Sequence, residues 1–196
     1  MNNKIIGLSG TNGSGKDTVG ELLAKNFGYL FISVTNLLRE EARRRGEPEE
    51  RRVTRTISAE WRRESGLAVL VDKAIEQYER SKDKYYGIVM SSLRNPGEAD
   101  RIHELGGIMV WVDADPKIRY GRIQKNKNVR GRGVVDNKTY EEFLKDEEAE
   151  MTPHSDDDPA LLNMLGVKQK CDIILDNNFS SLGELKNKLQ EVLKLN

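Results

Sequence analysis

The sequence is poor in cysteine, with Cys171 the single one among 196 residues. One cysteine closes no internal disulfide and builds no cysteine-rich zinc site, so it reads as a small apolar core residue. Histidine is scarce as well. His103, between Arg101 and Glu104, reads as a surface residue on a helix, and His154 has no partners in sight for a metal site. The acidic run from Asp156 to Asp158 lacks the ligand spacing of a calcium loop and reads as solvated. No apolar run approaches the roughly 20 residues of a membrane span. The opening MNNKIIGLSG holds an apolar stretch too short for a secretory signal. Charge of either sign is not in excess, because Lys plus Arg and Asp plus Glu each number 32. No global field therefore draws nucleic acid or an anionic membrane, and any attraction for anions has to be local. Internal repeats and low-complexity segments are lacking too. The expectation is a cytoplasmic protein with neither a membrane nor a nucleic-acid partner, monomeric or a weak homodimer, forming one unit over 1–196.

What is present is an alternation of short apolar runs with amphipathic segments, the pattern of a parallel sheet wrapped by helices. Strands are predicted at 4–9 (KIIGLS), 29–33 (YLFIS), 87–92 (GIVMSS), 107–113 (GIMVWVD) and 171–175 (CDIIL). After the first strand, Val19, Leu22, Leu23 and Phe27 recur at helical spacing, and Gly28 follows as a stop. Further helices are predicted at 36–46, from about 58 to 80 with Gly66 a candidate break, from Pro96, from Pro116, at 139–151 and near 182–193. The polar stretch 47–56 (EPEERRVTRT) reads as a connection, and 126–137 (NKNVRGRGVVDN) as a mobile loop. The fold class that follows is a three-layer α/β/α sandwich on a five-stranded parallel sheet, with ligands at the carboxyl ends of the strands.

One stretch carries chemistry: GLSGTNGSGKDTVGELL, residues 7–23. Gly10, Gly13 and Gly15 fall between an apolar strand and an amphipathic helix, the context in which a glycine-rich turn becomes a phosphate-binding loop. Glycines permit backbone conformations closed to other residues, so successive N–H groups of Gly10, Thr11, Asn12, Gly13, Ser14 and Gly15 can converge on phosphate oxygens. The helix beginning near Lys16 directs its positive end there, and Lys16 adds a full charge. The pattern G-x-x-x-x-G-K-[ST] is not met in full, since Asp17 follows Lys16 and the hydroxyl arrives one place later, at Thr18. A carboxylate facing polyphosphate repels it. Asp17 therefore either points away and stabilises the helix start, or touches magnesium directly or through water, which makes Asp17 and Thr18 the candidate metal ligands.

A lysine followed by a non-hydroxyl residue and then threonine resembles the phosphate loops of adenylate kinase and related nucleoside monophosphate kinases, and GKDT in particular is similar to deoxynucleoside monophosphate kinases. The segment 32–46 (ISVTNLLREEARRRG) is similar to the one with which adenylate kinases grip the acceptor nucleotide. That likeness implies Ser33 and Arg39 as acceptor contacts, within an acceptor-binding segment of about 34–80. In 88–100 (IVMSSLRNPGEAD), Arg94 matches an arginine that binds acceptor phosphate, while Ser91 and Ser92 stand where the family has an acid. The alternative for Arg94 is pairing with Glu98 or Asp100, and for Arg39 a solvated helix-face charge. Residues 112–123 (VDADPKIRYGRI) are similar to the strand and helix that lead into the family's lid. By that resemblance Arg122 lies beside the donor base and phosphates, and Arg130 and Arg132 are cations of a short, zinc-free lid at about 124–137.

The resemblance implies ATP-dependent phosphoryl transfer, with Mg2+, to a nucleoside or deoxynucleoside monophosphate. Lys16, Arg94 and Arg122 are then the catalytic cations, and Ser33, Arg39, Arg94 and Arg130 the acceptor contacts. Three alternatives stay open. Dephospho-coenzyme A kinases are similar in phosphate loop and sheet, although they carry Ser or Thr after the lysine. A nucleotide-binding regulatory module without efficient transfer fits the missing acid at Ser91 and Ser92. The cluster Lys117, Arg119, Arg122, Lys125, Lys127, Arg130 and Arg132 is either a solvated cationic face or a nucleic-acid patch. Lys145 reads as a helical partner of Glu141 rather than a phosphate contact.

Overall fold

Five short strands carry the architecture of the computed structural model, which describes residues 4–126, 138–151 and 158–195. They are β1 (Ile5–Gly10), β2 (Tyr29–Ser33), β3 (Gly87–Ser91), β4 (Ile108–Asp113) and β5 (Ile173–Asp176), in the order β2-β3-β1-β4-β5. Every pairing is parallel, and the registers set Leu8 opposite Ser91, Gly10 opposite Val112 and Ser33 opposite Ser91. The carboxyl ends of β1, β2, β3 and β4 therefore meet along one edge.

Helices cover both faces, as the alternation of apolar runs requires. On one face α1 (Lys16–Phe27) and the last helix, Leu182–Leu193, pack Val19, Leu23, Leu185 and Leu189 against Ile6, Leu8, Val110 and Val112. On the other, α2 (Val34–Arg44), α3 (Arg51–Ser65), α4 (Val69–Glu79) and α5 (Pro96–Glu104) pack Leu38, Ile57, Val71 and Ile102 against Ile88, Met90 and Met109. Successive strand residues point to opposite faces, so Val89 joins the first cluster while Ile88 and Met90 join the second. Full burial of each such side chain contributes about 1.5–3 kcal/mol. Beyond β4 come α6 (Pro116–Lys125), α7 (Tyr140–Met151) and α8 (Met164–Gln169), and the closing helix is α9 (Leu182–Leu193). Cys171 packs half-buried against the second cluster, and burial pushes its thiol up to about 12. No helix among the described residues is long and apolar enough to cross a membrane.

Three elements differ from the sequence expectation. Residues 51–56 are not a connection; they open α3, whose Val53, Ile57 and Arg62 are buried while Arg52, Arg55 and Thr56 are exposed. The helix expected from about 58 to 80 is two helices, parted at Gly66 with φ +94°. The short α8 has no counterpart in the expectation; it starts where the Asn163 side chain accepts from Gly166 N at 2.7 Å.

Candidate active site

The glycine-rich turn leaves β1 at Gly10, where φ is +144° and a Cβ would stand 2.0 Å from the carbonyl oxygen of Val112. It enters α1 through Gly15, with φ +90° and room only for hydrogen, since a Cβ would meet Asn177 Nδ2 at 2.5 Å. Both glycines are required by close approach as well as by backbone conformation. Side chains hold the loop's carbonyls. Lys16 Nζ donates to Thr11 O at 3.3 Å, Arg119 Nη1 to Asn12 O at 3.4 Å and Asn177 Nδ2 to Ser14 O at 2.7 Å. Thr11 Oγ1 donates to Asp113 Oδ1 at 2.8 Å, tying the loop to the end of β4. Engaging the carbonyls in this way is the arrangement that leaves loop amides for an anion.

Against this loop lies a cleft of about 870 Å³, lined by Gly13, Gly15, Lys16, Asp17, Thr18 and Arg122 among others. Phe179 and Ser181 border it from the segment between β5 and α9. Arg122 Nη2 donates to Phe179 O at 3.3 Å, while Nη1 is buried with no hydrogen-bond partner among the described residues. Burial holds the Arg122 pKa below its ordinary value. Ser14 Oγ is likewise buried and unpartnered among the described residues. Of the two, Arg122 borders the cleft together with Lys16, a pair of cations that suits an anion.

Asp17 faces β3. Ser91 Oγ, at the carboxyl end of that strand, donates to Asp17 Oδ1 at 2.6 Å. In phosphate-loop enzymes a hydroxyl after the lysine and an acid on a neighbouring strand hold magnesium together. Here the two types have exchanged places, the acid on α1 and the hydroxyl on β3. Asp17 and Thr18 line the cleft and offer oxygen donors with one carboxylate, the ligand type that suits magnesium, while Ser91 holds the carboxylate.

Arg94 follows a kink in which Ser92 takes φ +70°, a conformation that favours glycine. Its backbone N–H and that of Asn95 both donate to Glu98 Oε2, at 2.6 and 3.0 Å, and Glu98 is fully buried against Arg62, with Nη2 to Oε1 at 2.6 Å. Thus the Glu98 partnership foreseen for Arg94 is with its backbone, while its guanidinium stands 3.6 Å from Glu150 of α7. Arg39 is half-buried and donates to Asn36 Oδ1 at 3.2 Å. Ser33 is buried at the end of β2. Neither Ser33 nor Arg39 lines the cleft. Arg130 and Arg132 lie outside the described residues, as does most of the expected lid at 124–137.

The cationic cluster is not one solvated face. Arg119 is 2% exposed and binds Glu147 through both Nη atoms at 2.6 Å each, with Nε on Ala114 O at 2.7 Å. Sequence reasoning missed Asn177 and Phe179, which stand just beyond β5, and missed Arg51, Arg55 and Glu150. The i,i+4 spacing of Arg51 and Arg55 is legible once α3 is known to begin at Arg51.

A protein-family model described as AAA domain matches residues 6–152. A UPF0200 protein of Pyrococcus abyssi is 30% identical over 151 residues, 75% of this chain and 78% of that protein. A shikimate kinase of Gloeobacter violaceus is 33% identical over 124 residues, 63% of each chain. Among solved structures, a shikimate kinase from Bacteroides thetaiotaomicron superposes with a TM-score of 0.57 at 16% identity, covering 97% of this chain and 98% of that one. At that identity the likeness shows the fold alone, a three-layer α/β/α sandwich on a five-stranded parallel sheet.

Proposed function

The chain belongs to the AAA domain family, and from that premise we propose that it transfers the terminal phosphoryl group of ATP to a small anionic acceptor, first of all a nucleoside or deoxynucleoside monophosphate. The observation that carries this reading is the cleft in which Lys16, Thr18 and Arg122 surround a loop whose carbonyls are already engaged. In the reaction an acceptor phosphate oxygen bonds to the γ-phosphorus while the bond from that phosphorus to the β–γ bridging oxygen breaks, leaving ADP. Little covalent work falls to the protein; it holds two anions in line and neutralises charge.

Lys16 and the loop amides hold the β and γ phosphates in this account. Arg122, short of a partner for Nη1, takes charge that grows on the donor, and Arg94 and Arg39 serve the acceptor. Asp17 and Thr18 would hold magnesium, with Ser91 fixing the carboxylate. Held there, it would supply charge neutralisation for the donor phosphates. Asn177 and Phe179 border the donor's end of the cleft.

A second reading is favoured by the shikimate kinase of Gloeobacter violaceus: the acceptor is a hydroxyl compound bearing a carboxylate. The test is ADP release with ATP and Mg2+ against a panel of nucleoside monophosphates, their deoxy forms, dephospho-coenzyme A and shikimate. Stimulation by one or more monophosphates is expected. Stimulation by shikimate alone moves the protein to the second reading, and ATP binding without stimulation by any acceptor contradicts both.

A further inference from the structure

Three arginines converge on one carboxylate beside the phosphate loop. Glu150 of α7 pairs with Arg51 Nη2, lies 2.7 Å from Arg55 Nη2 and 3.6 Å from Arg94 Nη1. Arg51 and Arg55 are one turn apart on α3, and Arg94 comes from the turn after β3, so two separate elements supply the cations. The Glu150 side chain is 16% exposed and that of Arg55 45%, so the carboxylate sits inside a cluster whose outer arginine reaches solvent. Arg51 and Glu150 also line a cavity that Thr11 and Asn12 of the glycine-rich loop share, and Asn12 lines the large cleft as well. That smaller cavity measures about 30 Å³, room for a water or two and far too little for a substrate.

We propose that Arg51, Arg55 and Arg94 form the seat for the acceptor's phosphate group, and that in the free protein Glu150 occupies this seat as an internal competitor which the acceptor displaces. The location of the acceptor rests on the phosphoryl-transfer reading above; the anion seat itself does not. Charge favours a phosphate over a carboxylate as the displacing group. A phosphate dianion brings more charge and more oxygens than a carboxylate, in the fork geometry that arginine prefers. Two neighbouring acids among the described residues are engaged by other cations. Glu147 is engaged by Arg119, Asp146 pairs with Lys138, and burial lowers the Arg55 pKa with only a partial offset from Asp146.

The experiment is calorimetric titration of nucleotide-free protein with inorganic phosphate and, separately, with acetate. Removing an internal competitor raises apparent affinity by the inverse of the vacant fraction, so Glu150→Gln is expected to tighten phosphate binding by about tenfold or more. Acetate is expected to gain less, and the phosphate gain is expected to vanish when Arg55→Ala is added. Unchanged phosphate affinity in Glu150→Gln, or a gain that survives Arg55→Ala, overturns the proposal; an equal gain for acetate overturns its assignment to phosphate. Should Glu150→Gln not fold, the wild-type protein still decides. Saturating phosphate must shift the Arg55 Nε–Hε resonance as Glu150 leaves, and an unmoved resonance at saturation overturns displacement. Because these readouts need no turnover, their failure is separate from failure of the kinase assay.

Discussion

At the residue scale the exchange between Asp17 and Ser91 is the most specific feature of the site. A carboxylate on the first turn of α1 and a hydroxyl at the end of β3, 2.6 Å apart, carry the same donor set as the usual order with the two groups reversed. Position along the chain then matters less than the pair. Asp17→Ser is expected to weaken Mn2+ binding to the nucleotide complex by about 10–100-fold, followed by the paramagnetic signal of free Mn2+. The double variant Asp17→Ser with Ser91→Asp is expected to recover most of that loss. Mn2+ affinity unchanged in the single variant would remove Asp17 from the metal site. The sequence made the two anomalies legible one by one, Asp17 in place of a hydroxyl and Ser91 in place of an acid. Their direct contact was not legible, because it depends on β3 pairing next to β1 across more than seventy residues.

At the element scale, the turn from β3 into α5 is held from beneath. Glu98 closes a capping box with Asn95, accepts the Arg94 and Asn95 amides and pairs with Arg62 of α3, all at 0% exposure for its own side chain. Asn95 Nδ2 in turn donates to the carbonyls of Pro159 and Leu161, so the segment before α8 is tied to the same turn. Glu98→Ala strands a buried guanidinium and two amides, and a loss of about 3–5 kcal/mol in urea denaturation is expected. A loss below about 1 kcal/mol, the scale of an exposed pair, contradicts this account of the turn. Pro96 announced the start of α5 in the sequence, since proline suits the first helical position, whereas the Asn95 cap emerged only in the structure. The start of α3 was hidden. Its apolar residues Val53 and Ile57 are diluted by arginines and threonines, so periodicity emerges only when the buried Thr54, Ser58 and Arg62 are counted as inward-facing. A buried ion pair cannot be read from spacing, because a charge on a helix ordinarily marks the solvent side.

At the scale of the whole molecule, the strand order places β1 between β3 and β4. The glycine-rich loop therefore emerges with Arg122 of α6 and the β5–α9 segment to one side and the arginines of α3 and the β3–α5 turn to the other, the sides that the proposed reaction gives to donor and acceptor. Asn12 lines both cavities. The parallel sheet and its βα order were legible because apolar runs buried on both faces leave little alternative. The division of labour around the loop was not, since it follows from crossovers that bring distant segments together. The account stands on the loop and Lys16 gripping polyphosphate, and the most direct test is a calorimetric titration with ATP and Mg2+ of the wild-type protein and of Lys16→Ala. One saturable site in the wild type, weakened in the variant by about tenfold or more as expected for loss of a charge-assisted contact, is the predicted result. No binding to the wild type, or equal binding to both proteins, would contradict it.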